Sequence, residues 1–166
     1  DLSDMIHGGF MSAAAFQTLT SAVDGSVHMF WIDTRHMSQE ESTGALYTAV
    51  SRDGGETFNG DREIFASNVC PCCQLMATAN GNSDVYVTLR GVTADNISQS
   101  TVTRIASDGT VKSDKVDTRT APWQINACPL KPTAIATRGD AVFTAVYGGG
   151  EDAPGVYFSS SMDGGH

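Results

Sequence analysis

What this sequence lacks narrows its function first. No stretch approaches the roughly 18 apolar residues that a membrane-spanning helix needs, so no membrane span is expected. Charge is sparse: charged residues make up 17% of the chain, with 10 Lys and Arg against 19 Asp and Glu. No basic stripe occurs, and no nucleic-acid partner is expected, because phosphate backbones are held by clustered cations. Two separated Cys-x-x-Cys pairs of the structural-zinc type are missing, as is the Cys-x-x-Cys-His haem signature. No cofactor and no bound metal is therefore expected. Helix is a poor competitor: Ala13, Ala14 and Ala15 could form a turn, but Val, Thr, Tyr and Phe favour strands elsewhere. The opening residues Asp1, Leu2, Ser3 and Asp4 carry no signal-peptide pattern, and Asp1 is expected to be a processed, trimmed or fragment start.

What is present points to many short strands. The chain has 166 residues, enough to bury a real core, and 17 of them are glycine. Ser, Thr and Asn are frequent, as tight turns require. The cysteines are Cys70, Cys72, Cys73 and Cys128. An even number in an acidic, Gly- and Ser-rich chain leans toward an oxidising compartment, periplasmic or secreted. Any full pairing joins Cys128 to one of Cys70, Cys72 and Cys73 and leaves the other two to each other in a tight local ring. All four are disulfide candidates, with Cys128 expected to bond one member of the cluster. A thiolate site for copper or zinc, assisted by His or Met, and unpaired thiols are the competing readings.

Three Asp-Gly turns, Asp53-Gly54, Asp108-Gly109 and Asp163-Gly164, stand 55 residues apart. Fixed-period self-similarity of this length marks a repeat architecture. Strand-like runs recur around each turn: Phe16 to Ala22, Val27 to Ile32, Leu46 to Val50 and Arg62 to Ala66 in the first unit. Gln74 to Ala79, Val85 to Leu89, Val102 to Ala106 and Lys112 to Asp117 follow, then Thr133 to Thr137, Ala141 to Tyr147 and Val156 to Ser160. Four short antiparallel strands per unit is what a β-propeller blade needs. The expected fold is all-β, with three blades over 13–68, 74–118 and 132–166, the last cut short. Three blades cannot close a propeller, so the remainder of a propeller, or another chain, is an expected partner.

The turn motif is more specific than its spacing. Ser51, Asp53, Gly55, Thr57 and Phe58 read Ser-x-Asp-x-Gly-x-Thr-Phe, and Ser161, Asp163 and Gly165 begin a second copy. The middle copy, Ser107 to Thr110, is degenerate. In physical terms the Asp carboxylate accepts hydrogen bonds from turn amides, the glycines supply positive φ, and the aromatic plugs between neighbouring sheets. This pattern resembles the Asp-box repeat of the sialidase-like propeller family. The Cys-Pro-Cys-Cys run with a later Trp and Cys-Pro is also similar to a bacterial exported subset of that family. The resemblance implies a six-bladed propeller whose Asp boxes lie on one rim and whose binding site lies on the other.

That opposite rim receives the second-to-third loops and the links between units. The candidate ligand-binding residues there are His7, Arg35, His36, Arg90 and Trp123. A sialidase also needs an arginine cluster, a Tyr nucleophile activated by Glu, an Asp acid or base, and an Arg-Ile-Pro motif. No Arg-Ile-Pro occurs, and Tyr47, Tyr86, Tyr147 and Tyr157 all fall inside expected strands. The expected function is a sialidase-like propeller acting as a binding scaffold for a glycan or protein ligand. A glycoside hydrolase of the same fold and a metal- or redox-active propeller built on the cysteines are the alternatives.

Overall fold

The structure is a computed structural model that describes residues 14–38, 43–93, 95, 97–118, 123–125, 129–151 and 153–165. The elements in these residues are twelve strands. They are β1 (Ala14–Ser21), β2 (Val27–Asp33), β3 (Gly44–Ser51), β4 (Arg62–Val69), β5 (Met76–Ala79) and β6 (Val85–Val92). The second half adds β7 (Ile97–Ile105), β8 (Val111–Asp117), β9 (Trp123–Gln124), β10 (Ala134–Arg138), β11 (Ala141–Gly148) and β12 (Gly155–Ser161). No helix among the described residues is long and apolar enough to cross a membrane.

The strands form three antiparallel sheets, in the orders β1-β2-β3-β4, β5-β6-β7-β8 and β10-β11-β12. Strand β9 joins the second sheet by pairing Trp123 with Ser98 and Gln124 with Ile97 on β7. The sheets therefore hold four, five and three strands and remain open. This overturns the expected six-bladed propeller: among the described residues no closed ring forms, and the sheets do not share a uniform strand number. The propeller scaffold, the glycosidase alternative and the metal- or redox-active propeller lose their support with it. The physical reason is that Asp-Gly hairpins at a fixed period specify local antiparallel pairing and say nothing of ring closure.

Packing between sheets explains which strands read as apolar on both faces. The main core lies between the first and second sheets and contains Phe30, Ile32, Leu46, Val69, Leu75, Val85, Val87, Leu89 and Ile105. A second cluster, Tyr86, Val102 and Val142 with Ile135 against it, joins the second sheet to the third. Successive side chains of a strand point to opposite faces. In β6 the odd positions Val85, Val87 and Leu89 meet the first sheet, while Tyr86 meets the third. Thr88 continues that face, donating to the Thr133 carbonyl at 2.8 Å. Strand β3 is likewise buried along its whole length, with Leu46 in the main core and Ala45, Tyr47 and Ala49 packed with Trp31 on the other face.

The Asp-Gly hairpins are held as the motif chemistry predicts. Ser51 Oγ donates to Asp53 Oδ1 at 2.7 Å, and the Gly55 amide donates to Ser51 Oγ at 2.9 Å. The Thr57 amide and hydroxyl both donate to the Asp53 carboxylate, at 2.9 and 2.5 Å. Gly54 and Gly55 hold φ of 75° and 96°, the left-handed region that glycine enters without strain. Ser161, Asp163 and Gly165 repeat the pattern, with Ser161 Oγ donating to Asp163 at 2.6 Å. Neighbouring hairpins touch: Arg52 donates to the Ser107 carbonyl at 3.0 Å. Phe58 is 37% exposed. Arg62 and Val50 lie against Gly109 and leave no room there for a Cβ.

The hairpin hydrogen bonds carry a pH signature. Thr57 foremost, then Ser51, hold the Asp53 carboxyl down at about 2 from its ordinary 3.8. A depressed folded value means the stabilisation is full above the ordinary value and is lost as pH falls through about 2. Asp53→Asn is expected to lower the melting temperature at pH 7 and to melt with the unsubstituted chain at a pH of about 1, well below the folded value. Thermal melts followed by circular dichroism at both pH values check this. An equal gap at both would remove the carboxylate from the account.

Candidate functional site

The end of the sheets opposite the Asp-Gly turns gathers the remaining sequence candidates. There β2 turns toward β3, β4 passes to β5, β6 turns to β7, and β11 turns to β12. Contacts tie these segments together across sheets. The Cys70 amide donates to the Arg90 carbonyl at 2.7 Å, which fixes the β4–β5 link on the end of β6. Arg90 in turn donates to Ser98 Oγ at 3.0 Å and to the Tyr147 carbonyl at 3.3 Å. It therefore reaches the third sheet from the second.

Above Arg90 stands an aromatic pair. Trp123 meets Tyr147 edge to face, with centroids 5.7 Å apart and planes at 80°. The Arg90 guanidinium lies 5.6 Å from the Trp123 ring, and Lys131 Nζ lies 5.7 Å from the Tyr147 ring. Both are cation–π separations. Trp123 is half-buried and Tyr147 is 36% exposed, so the pair reaches solvent. Gly149 makes room for it: a Cβ there would come within 2.5 Å of the Trp123 ring. Sequence reasoning placed Trp123 and Arg90 on this end but missed Tyr147, which reads as a packing residue inside a strand. The register Tyr147↔Val156 beside the β11–β12 turn is the signal that brings it to the rim.

The first sheet carries a different arrangement. Asp33 has no exposed side-chain surface and pairs with Arg35 Nη2 at 2.7 Å. Burial works to raise the Asp33 carboxyl, but hydrogen bonds from Arg35 and from Trp31 outweigh it and hold the group below its ordinary value. Arg35 also bridges to Asp61 at 2.8 Å and lies 4.5 Å above the Tyr47 ring. Its guanidinium is thus engaged by two carboxylates rather than presented alone to an anion. Tyr47 donates to Glu63 Oε2 at 2.9 Å, and His36 Nε2 lies 3.4 Å from the same hydroxyl. Glu63 was not among the sequence candidates; it faces Tyr47 because β3 and β4 pair those two positions. Burial first, then the Glu63 hydrogen bond, pushes the Tyr47 phenol up to about 12. Tyr47 is therefore a protonated donor at neutral pH and not an activated nucleophile.

The described part of the cysteine link places three sulfurs side by side. Among the described residues no disulfide forms: Cys70 Sγ lies 3.0 Å from Cys73 Sγ and 3.6 Å from Cys72 Sγ. A disulfide needs about 2.05 Å, and bridging residues this near in sequence closes a strained ring. The turn at Pro71 and Cys72 brings the sulfurs into contact without linking them. Cys128, the expected partner, and His7 lie outside the described residues. The hairpin residues Ser51, Asp53, Gly55, Thr57, Phe58, Ser161, Asp163 and Gly165, expected to be Asp-box positions, all sit at the other end. A cavity of about 210 Å³ between the second and third sheets is lined mainly by Val and hydroxyl side chains. Asp117 is the one titratable residue on its described wall, so it offers no acid–base pair.

No protein-family profile matches the chain, and no curated protein does. Solved structures do match it. The chain is similar to the Hadza microbial sialidase Hz136 with a TM-score of 0.62 at 11% identity, over 93% of this chain and 32% of that one. It is similar to the GH43 BlXynB protein from Bacillus licheniformis with a TM-score of 0.54 at 8% identity, over 92% of this chain and 28% of that one. The chain thus spans about a third of the first and less of the second, and the likeness is one of fold: a distant resemblance to all-β sialidase and GH43 structures.

Proposed function

We propose that this chain recognises a glycan through the Trp123–Tyr147 platform at the link end of its sheets. One observation carries the reading: two solvent-reaching aromatic rings stand edge to face over Gly149, with the buried Arg90 beneath them. The C–H bonds on one face of a pyranose carry partial positive charge and meet the negative face of an aromatic ring. Arg90 and Lys131 fix the two rings and so lower the cost of ordering them on binding. The names of the two similar structures, a sialidase and a GH43 protein, agree with a carbohydrate ligand. Two finer readings belong to the same proposal. The three units over 13–68, 74–118 and 132–166 act as one exported, periplasmic or secreted domain. Its hairpins are Asp-box repeats, as the Ser51–Asp53–Thr57 network supports.

Two substitutions test the platform. Trp123→Ala is expected to weaken any glycan that the unsubstituted chain binds on a glycan array by at least about tenfold, or roughly 1.4 kcal/mol. Circular dichroism should show unchanged strand content. Binding that survives this change, or no glycan bound by the unsubstituted chain, would overturn the reading.

Gly149→Ala should displace the Trp123 ring, because its Cβ would fall within 2.5 Å of ring atoms. Overpacking of this kind costs about 1–3 kcal/mol. A lower melting temperature and a shifted tryptophan emission spectrum are the expected readouts. An unchanged spectrum would mean that Trp123 does not rest on this loop.

A further inference from the structure

The β1–β2 turn covers a titratable side chain that lies outside the sites described above. His28 on β2 has no exposed surface and shares a face with Phe30 and Ile32 of the main core. Its ring lies nearly parallel to that of Phe30, with centroids 6.3 Å apart. One hydrogen-bond chain reaches it. The Ser26 amide and hydroxyl both donate to Asp24 Oδ1, at 3.0 and 2.6 Å, and His28 Nε2 lies 3.0 Å from Ser26 Oγ. A serine hydroxyl has one proton, and an ionised carboxylate can only accept. The Ser26 hydrogen bonds hold the Asp24 carboxyl below its ordinary value, so it is ionised at neutral pH. Ser26 therefore gives its proton to Asp24 and accepts from His28 Nε2–H. That fixes the neutral tautomer: Nδ1 is bare, and it is buried with no hydrogen-bond partner among the described residues. The same turn is docked on the second sheet, where the Asp24 amide donates to Ser83 Oγ at 3.0 Å.

From this geometry we infer that His28 is an acid-sensitive latch, whose protonation releases the β1–β2 turn from the second sheet. An incoming proton must settle on Nδ1, since Nε2 already carries one. It places a charge and an unpaired N–H donor in the core, and burial makes both costly. His28 cannot reach solvent within the sheet, because β2 is paired on both sides, with Thr20 on β1 and Val50 on β3. The start of β2 and the turn before it must lift instead, and Asp24 leaves Ser83 with them. Burial is the largest influence on the imidazole and holds it below its ordinary 6.5. Among the described residues two charges act on the ring: Asp24 from the turn favours protonation, and Arg52 from the β3–β4 hairpin opposes it. A depressed folded value means that the opened chain takes the proton first. The latch is therefore fully held above 6.5 and loosens as pH falls below it. It is independent of the aromatic platform, which lies at the other end of the sheets.

The experiment follows the full chain by nuclear magnetic resonance. At about pH 7.5 the His28 ring nitrogens should show a protonated Nε2 and a bare Nδ1. Between about pH 7.5 and 5, the span in which histidine changes charge, amide exchange protection is then measured. The hydrogen-bonded amides of Ala22, Gly25 and Ser26 should lose at least about fivefold in protection, the smallest effect of burying an unpaired donor. Amides of the β6–β7 ladder should keep theirs. Asp24 and Asp53 hold lowered carboxyls and keep their charge over this span. His28→Gln retains a donor toward Ser26 and takes up no proton, so its turn should stay protected throughout. A bare Nε2 in the unsubstituted chain at the upper pH would overturn the inference, and so would turn protection that does not change with pH. Both readings are made without any variant. An equal loss in His28→Gln would assign the effect to another group and overturn it as well.

Discussion

Everything in this fold depends on β6 being covered on both faces. Its odd positions, Val85, Val87 and Leu89, close the core against the first sheet. Its even positions, Tyr86, Thr88 and Arg90, reach the third sheet through Val142, Thr133 and Tyr147. A strand sandwiched in this way cannot shift register by one residue without exchanging every contact at two interfaces. The register of the central sheet then sets where Arg90 ends, and Arg90 sets two further things. Its carbonyl positions the Cys70 amide, and its guanidinium lies against the Trp123 ring.

Much of this was legible in the sequence, because hairpins are local. The eleven strand-like runs correspond to β1–β8 and β10–β12, since alternating apolar residues bounded by Asp-Gly or Gly turns leave few other options. The Ser51–Asp53–Thr57 network was legible for the same reason: each partner lies within a few residues of the next. Strand β9 was not legible. Two residues, Trp123 and Gln124, carry no periodicity, and their pairing with Ile97 and Ser98 is a tertiary decision. Tyr47 and Glu63 met unseen because the β3–β4 register slips twice, between Gly44 and Leu46 and between Leu46 and Tyr47.

The larger misreading has a physical cause. Ring closure depends on where distant surfaces come to rest, and the repeat period constrains only neighbours. Six blades were inferred from a family likeness, while the sheets hold four, five and three strands and stay open. The site candidates on the link end were named from loop position alone. Their chemistry emerged only with the packing: Arg35 is engaged by Asp33 and Asp61, while Arg90 underlies an aromatic pair.

The two ends of the sheets obey different rules of length. At the Asp-Gly end each hairpin leans on the next, Arg52 on Ser107 at a separation of 55 and Gly164 against Arg104, so the period is enforced by contact. At the other end the connections 34–43, 93–96 and 149–154 differ in length, although each follows the second strand of its sheet. An insertion in the first set breaks a neighbour's contact; in the second set, length already differs from one connection to the next. Sequence drift is thereby steered to one side of the molecule. One end keeps the spacing of the repeats, and the other carries the differences in length between them.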